Sequence, residues 1–272
     1  MLKFNTLTCR AGYFFAGAIV LTITGPVQGS DTDGGVSNSK PLLLAEYRNN
    51  YLNKPSGNAS GGNSSAPLLN MEVSHSDYLP SLPKSLHQGN YFQGWSNSGI
   101  SRRIKQNGNQ SFEIPKWLAG KWKRNQSTET KRVKLPEGKS LKTTGTTMAR
   151  SEDVFGTYED SEGKIWQVFD PRQATGVVDR GEFIDHHRVM NYKIEILDPN
   201  TVVVEVTASH LVVNKEKKQI AKSFQDEEFN TYTYLGNGKA KTESSVKVFD
   251  QLGKPEVLTH SVSYVDRTES LE

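Results

Sequence analysis

The sequence predicts an all-β fold: an antiparallel up-and-down barrel or closed meander of about 8–10 strands, preceded by a disordered N-terminal arm. From residue 112 to residue 272, polar and apolar residues alternate as they do along strands that have one buried face. Short turn sequences rich in Gly, Asn, Asp and Pro separate these runs. No long helical period interrupts them, so the sheet has to hide its own faces by closing or stacking.

Residues 1–29 have the order of a secretory signal peptide. A basic start precedes an apolar run over residues 11–24, and Gly25-Pro26 ends that run shortly before a predicted cut at Ser30. A membrane-spanning helix needs roughly 20 apolar residues. We therefore expect cleavage, no transmembrane span afterwards and a periplasmic or extracellular location. The single cysteine, Cys9, is lost with this segment, and a secreted chain without cysteine favours a bacterial envelope.

Residues 30–111 are rich in Ser, Asn and Gly and are predicted to form a disordered arm, because they cannot bury enough apolar surface to offset chain entropy. Two islands interrupt this composition. Leu42–Leu52 has the apolar spacing of a short helix, and Tyr91–Trp95 holds three aromatic residues. Each island either recruits a protein partner of the cell envelope or docks back onto the folded domain.

Charge and motifs exclude several function classes. A net charge of +3 over 272 residues is too small to indicate a nucleic-acid partner. The sequence has no Gly-x-Ser-x-Gly, no His-Glu-x-x-His, no phosphate-binding loop and no cysteine nucleophile. A non-enzymatic protein is therefore favoured over an enzyme.

Turn sequences place hairpins in the domain at residues 112–272. Asp198-Pro199-Asn200 joins Ile194–Leu197 to Thr201–Val204, which sets Ile194 opposite Val204 and Arg188 opposite His210. The other three predicted turns lie at residues 159–163, 236–238 and 250–255.

The segment Ile114–Trp122 resembles the start of a lipocalin-like barrel of the calycin type, where a short turn closes the floor and Gly-x-Trp begins the first strand. Gly120-Lys121-Trp122 carries that motif here. The resemblance covers residues 114–122 and 258–267 and implies a lipocalin-like β-barrel domain over residues 112–272. It also implies that Trp122 packs at the closed end beneath an Arg that follows the last strand, a place that Arg267 occupies.

A second resemblance concerns His260, which lies seven residues before Arg267. Nitrobindin, a related barrel, has a haem-binding His at that spacing from an Arg and also starts with Leu-x-Gly-x-Trp. This resemblance implies a haem-binding barrel as an alternative. The Gly-x-Gly that follows the Trp in nitrobindin is replaced here by residues 123–126.

Strand parity predicts the side chains that point into the barrel. The even positions carry most of the apolar residues from Ile184 to Ile196, from Val202 to Val212 and from Leu258 to Tyr264. The residues predicted to bind a ligand on this face are His186, Arg188, Met190, Tyr192, His210 and His260.

Three interpretations remain open for the polar members of this set. They line a water-facing barrel mouth, or they anchor a small acidic ligand with Arg188 as the bidentate partner of its carboxylate. In the third interpretation, the histidines hold a metal or haem. No metal and no cofactor is assigned to the favoured function.

The favoured function is an exported, non-enzymatic barrel that binds a small hydrophobic or amphipathic molecule. The first alternative is a structural or adaptor protein of a cell-envelope assembly, in which the N-terminal arm recruits partners through Leu42–Leu52 or Tyr91–Trp95. The second alternative is the haem-binding, nitrobindin-like barrel.

Overall fold

The computed structural model describes residues 74–97, Ile100 and residues 108–270, except the side chains of residues 149 and 150. The predicted signal peptide, the arm up to residue 73 and Leu42–Leu52 lie outside the described residues. Within them the fold is all-β and antiparallel, as predicted.

The strands follow the alternating runs and end at the turn sequences. Two short 3-10 turns, at Lys84–Leu86 and Trp95–Asn97, and a helical residue, Ile100, precede the strands in the described part of the chain. The strands are β1 Gln110–Ile114, β2 Gly120–Lys134, β3 Lys139–Ser140, β4 Thr146–Phe155, β5 Tyr158–Glu159, β6 Ile165–Phe169, β7 Thr175–Arg180, β8 Phe183–Asp198, β9 Thr201–Asn214, β10 Ile220–Gly236, β11 Lys239–Asp250 and β12 Pro255–Glu269.

Nine strands form one large sheet in the order β3-β2-β12-β11-β10-β9-β8-β7, and β4 also pairs with β2. Each strand from β7 to β12 pairs with the next in sequence, which makes an up-and-down meander. The long strand that opens the meander, β2, pairs with the last strand, β12. Among the described residues no ladder joins β4 to β7, so hydrogen bonds do not close the sheet into a barrel.

The main hydrophobic core lies on one face of this sheet, which we call the inner face. Trp122, Tyr232 and Phe155 are fully buried there and belong to one hydrophobic cluster. A smaller sheet of order β1-β6-β5 packs against this cluster through Ile114 and Phe169. We call the end of the inner face around Trp122 the lower end, or floor. Large side chains fill it.

The floor contact that the lipocalin resemblance implies is present. The Arg267 guanidinium lies 5.8 Å from the centroid of the Trp122 ring, a distance that suits a cation–π interaction. Arg267 also donates to the Trp117 carbonyl at 3.2 Å. Gly120, which starts β2, has a φ of +125° and lies directly against the backbone of Glu269, so a side chain there would collide with the last strand.

The predicted hairpin between β8 and β9 forms, but its register holds only over half its length. Ile194 pairs with Val204 as predicted. A β-bulge at Met190 then shifts the ladder, so that Arg188 pairs with Ser209 and His187 pairs with His210. The predicted pairing of Arg188 with His210 is therefore wrong, because one extra residue in β8 exchanges the two faces beyond it.

Residues 74–97, which we call the strap, lie across the opposite, outer face of the large sheet. Leu82 and Leu86 are buried there in a second apolar cluster with Leu211 and Ile220. The predicted arm is therefore too long at its C-terminal end, because the strap is ordered against the sheet and β1 already begins at Gln110. The strap's few apolar residues are too sparse to indicate a core, but the outer face of β9 and β10 supplies the rest of one.

Backbone and side-chain hydrogen bonds fix the strap in register. The amide of Leu79 donates to the carbonyl of Gly253 at 3.0 Å, and the amide of Leu82 donates to Gln251 at 2.9 Å. His75 Nδ1 lies 3.0 Å from a carboxylate oxygen of the buried Glu227. The strap is therefore part of the folded domain.

We expect Gly253→Ala to release this part of the strap. Gly253 has a φ of +80°, and an added Cβ would run into the carbonyl of Leu79. Hydrogen exchange should show faster exchange at the amides of Leu79 and Leu82, together with a lower Tm. Gly138→Ala is the matched control, because Gly138 has a φ of +66° with nothing within 4 Å of an added Cβ. Each variant carries a backbone strain of about 1–2 kcal/mol, so equal exchange in both would contradict the proposed close contact.

Candidate ligand-binding interior

The structure divides the predicted site residues between two faces. Tyr192 and His210 lie on the inner face, as predicted, since Tyr192 pairs with Val206 and His210 with His187. The predictions for the other four are wrong. Beyond the bulge the outer face of β8 carries His186, Arg188 and Met190, and His260 is paired with Ser245 on the outer face of β12.

The misplaced residues support the strap instead. Arg188 donates to the carbonyls of Pro171 at 3.2 Å and Arg172 at 3.1 Å, and its guanidinium lies 5.9 Å from the Trp95 ring centroid. The His186 ring contacts Phe92 with a centroid distance of 4.7 Å. The aromatic island Tyr91–Trp95 thus packs on its own domain. With its side chain on the outer face, His260 offers no ligand to a haem bound inside.

The inner face has two walls of opposite character. Along the middle of β8 and β9 the wall is apolar. The wall formed by β2, β10, β11 and β12 carries most of the buried polar side chains, among apolar ones such as Val246, Val248 and Val265. All of these side chains are buried. The apolar wall holds Val189, Tyr192, Val204, Val206 and Ala208, and the polar wall holds Arg124, Ser127, Asp226, Glu228, Asn230, Thr242, Ser244, Ser261 and Ser263.

His210 bridges two buried carboxylates at the upper end of the interior. Its Nδ1 lies 3.2 Å from Asp185 Oδ1, and its Nε2 lies 3.1 Å from Asp226 Oδ2. Burial alone would lower the pKa of His210, but the charges of Asp226 and Asp185 outweigh burial and raise it to about 10. The ring is therefore an imidazolium at neutral pH, stacked 4.7 Å from the Phe224 ring.

His187 lies beside this ion-paired histidine and has the opposite charge state. Its ring centroid is 5.7 Å from that of His210. Burial, together with the positive charge of His210, lowers the pKa of His187 to about 4. The ring is neutral at pH 7, and it packs over Gly176, where any Cβ would collide with it.

Glu228 occupies the middle of the polar wall. Asn230 Nδ2 donates to Glu228 Oε2 at 3.2 Å, and the Ser244 hydroxyl donates to the other end of the Asn230 amide. Burial and the neighbouring charge of Asp226 hold the pKa of Glu228 well above its usual range. The protonated form of Glu228 is thereby favoured, and in that form the carboxyl group can donate as well as accept a hydrogen bond.

Arg124 and Asp153 form an ion pair just above the floor. Arg124 Nη2 lies 3.4 Å from Asp153 Oδ2, and the Tyr232 hydroxyl donates to the same oxygen at 3.0 Å. Both charged side chains are almost fully buried. Asp153 thus accepts from both of these donors, whereas the guanidinium makes a single long hydrogen bond to the described residues.

Buried polar atoms on the inner face lack a hydrogen-bond partner in the described part of the chain. These atoms include Arg124 Nε, Ser151 Oγ, Thr242 Oγ1 and Asp226 Oδ1. An unmade hydrogen bond of this kind costs about 1–3 kcal/mol. A molecule that supplied donors and acceptors to these atoms would recover part of that cost.

Three searches bear on the identity of this site. No protein-family model, curated protein or solved structure matches the chain. The described residues contain no group of three or more His, Cys, Asp or Glu side chains arranged to hold a metal ion. Nor does this part of the chain include a helix of the length and hydrophobicity needed to cross a membrane.

The sequence contained a signal for Arg124 that parity reasoning left unused. Arg124 lies two residues after Trp122, which the lipocalin resemblance already places inside, so both side chains share one face of β2. The same reasoning assigns three further side chains to the inner face. Counting back from the buried Tyr232 in steps of two reaches Asn230, Glu228 and Asp226.

We expect the stability of the fold to fall as the pH rises from 6.5 to 10. The folded-state pKa of His210 lies above its ordinary value of 6.5, so its ion pairs contribute fully below pH 6.5 and are lost as the pH approaches 10. One pKa unit corresponds to about 1.4 kcal/mol, so the loss should be on the order of 3 kcal/mol. Urea unfolding at pH 6.5 and pH 9.5 measures it.

His210→Gln should flatten this dependence, although it lowers stability at both pH values. His186→Gln is the matched control, because burial lowers the pKa of His186 and its titration falls below pH 6.5. An unchanged decline in His210→Gln would contradict the assignment.

Proposed function

We propose that this protein is an exported, non-enzymatic protein that binds a small amphipathic molecule at the inner face of its large sheet. The observation that carries the proposal is the division of that face into an apolar wall and a polar wall whose buried groups lack part of their hydrogen bonds. A molecule with an apolar body and a polar head satisfies both walls at once.

The apolar wall supports binding of the body of such a molecule. Val189, Val206 and Ala208 follow one another along the paired strands β8 and β9 above the filled floor. Burying a ligand's apolar surface against them contributes about 25 cal/mol per Å². Tyr192 sits at the lower end of this wall, stacked on Phe169 at a centroid distance of 5.2 Å.

The polar wall supports binding of the head. Its side chains on β2, β11 and β12 are short, namely Ser127, Thr242, Ser244, Ser261 and Ser263. Short hydroxyl side chains leave space and provide both donors and acceptors. A purely hydrophobic ligand would leave Thr242 Oγ1 without a partner in the described part of the chain, so the wall favours an amphipathic one.

The ionisable groups of the interior support a binding role over catalysis. A general acid or base works best with a pKa near the working pH. The pKa of His210 is raised to about 10 and that of His187 is lowered to about 4, so both are far from neutrality in opposite directions. The signal-peptide pattern of residues 1–29 supports the export part of the proposal.

Native mass spectrometry of the full chain, purified from its own host, tests the proposal. We expect a retained small molecule that dissociates on unfolding. A chain that carries none, and that binds no amphipathic probe such as 1-octanol in a tryptophan-fluorescence titration, would overturn the proposal.

A paired substitution locates the binding face. Ser263→Leu places a larger side chain on the polar wall and should weaken binding of 1-octanol about tenfold, which corresponds to about 1.4 kcal/mol. Val262→Leu is the matched control, because Val262 pairs with Glu243 on the outer face of β12. Equal affinities in the two variants would place the ligand outside this interior.

A further inference from the structure

We infer that Arg124 is the anchor for the head group of the proposed ligand, and that this head group is a carboxylate. The inference rests on the proposed function, since it names the chemistry of a molecule bound at the same inner face. Its basis is the incomplete hydrogen bonding of a fully buried guanidinium.

Arg124 is the least satisfied of the buried arginines. It is 2% exposed, and its one hydrogen bond to the described residues is the 3.4 Å contact with Asp153. Arg188, also buried, has an Nε without a partner in the described residues as well, but it donates to two backbone carbonyls and faces the Trp95 ring. Arg132 makes a close ion pair with Glu129. A guanidinium has five N–H donors, so Arg124 keeps donors that the protein leaves unused.

Asp153 does not complete the arginine's coordination. Its Oδ2 accepts from both Arg124 and Tyr232, and the bond from Tyr232 is the shorter at 3.0 Å. The Nε atom of Arg124 is buried without a partner in the described chain. Arg124 Nε–H is therefore a buried donor without an acceptor among the described residues, and with the adjacent Nη–H it is one arm of the planar fork that binds a carboxylate through two parallel hydrogen bonds.

The neighbouring groups add donors more than acceptors. Thr242 pairs across the ladder with Tyr232, and its hydroxyl is buried without a partner in the described part of the chain. Glu228 lies within electrostatic range of Arg124, and its favoured protonated form has a proton to donate. The one unpartnered acceptor is Asp226 Oδ1, which belongs to a carboxylate already paired with His210. This balance favours an oxygen-rich, anionic head over an ammonium group.

The test uses three probes with the same eight-carbon chain: octanoate, 1-octanol and octylamine. Binding to the full chain is followed by tryptophan fluorescence at pH 7 and low salt. We expect octanoate to bind at least about tenfold more tightly than 1-octanol, and octylamine to bind more weakly than either.

Arg124→Met removes the anchor, and it also leaves the Asp153 charge buried without its cation, which can prevent folding. The double variant Arg124→Met/Asp153→Asn removes both charges and keeps the comparison possible. In both variants the preference for octanoate over 1-octanol should disappear, while 1-octanol affinity changes little. Arg188→Met is the matched control, a buried arginine on the outer face, and should retain the preference.

The outcomes separate the two proposals. Equal binding of all three probes, tightest binding of octylamine, or an octanoate preference that survives loss of Arg124 would overturn the carboxylate anchor and leave the proposed function standing. Failure of all three probes to bind would overturn both.

Discussion

The pairing of β2 with β12 is the contact on which the rest of this fold depends. It joins the first long strand of the meander to the last one, so the sheet curves back on itself and gains an inner face. The same pairing brings Trp122 under Arg267 and sets Arg124 beside Val265. Without it the polar wall would be split between the two ends of the chain, and the floor cluster would lose its cover.

Compensation within the interior explains how so many polar groups are buried. His210 lies between Asp185 and Asp226, Arg180 also pairs with Asp185, and Asp153 opposes Arg124. Burial and the charge of Asp226 favour the protonated form of Glu228, because a second carboxylate there would be costly. Compensation is incomplete at Arg124 Nε and at the hydroxyl of Thr242, which have no partner in the described part of the chain.

The all-β class and the hairpin turns were predictable from the sequence, because turn residues and alternation are local signals. The contact between Trp122 and Arg267 was expected only from the lipocalin resemblance. The exchange of faces in β8 was not, since the bulge at Met190 arises from how β8 fits β9 and leaves no mark in the pattern of β8 alone. The alternation in β8 consequently predicted the wrong face for His186 and Arg188. The strap was missed for a similar reason, as Leu82 and Phe92 become a core only against Leu211.

The two faces of the sheet show how one alternating pattern serves two purposes. The outer face of β8 to β10 is covered by the strap, and Arg188 there donates to the carbonyls of Pro171 and Arg172, although its Nε has no partner in the described part of the chain. On the inner face, Arg124 of β2 makes one hydrogen bond to the described residues, the 3.4 Å contact with Asp153. A group that serves only stability gains from complete hydrogen bonding. The two buried arginines differ in degree: Arg188 has two backbone acceptors and the Trp95 ring, whereas Arg124 has one long hydrogen bond to the described residues, so Arg124 has more to gain from a further acceptor.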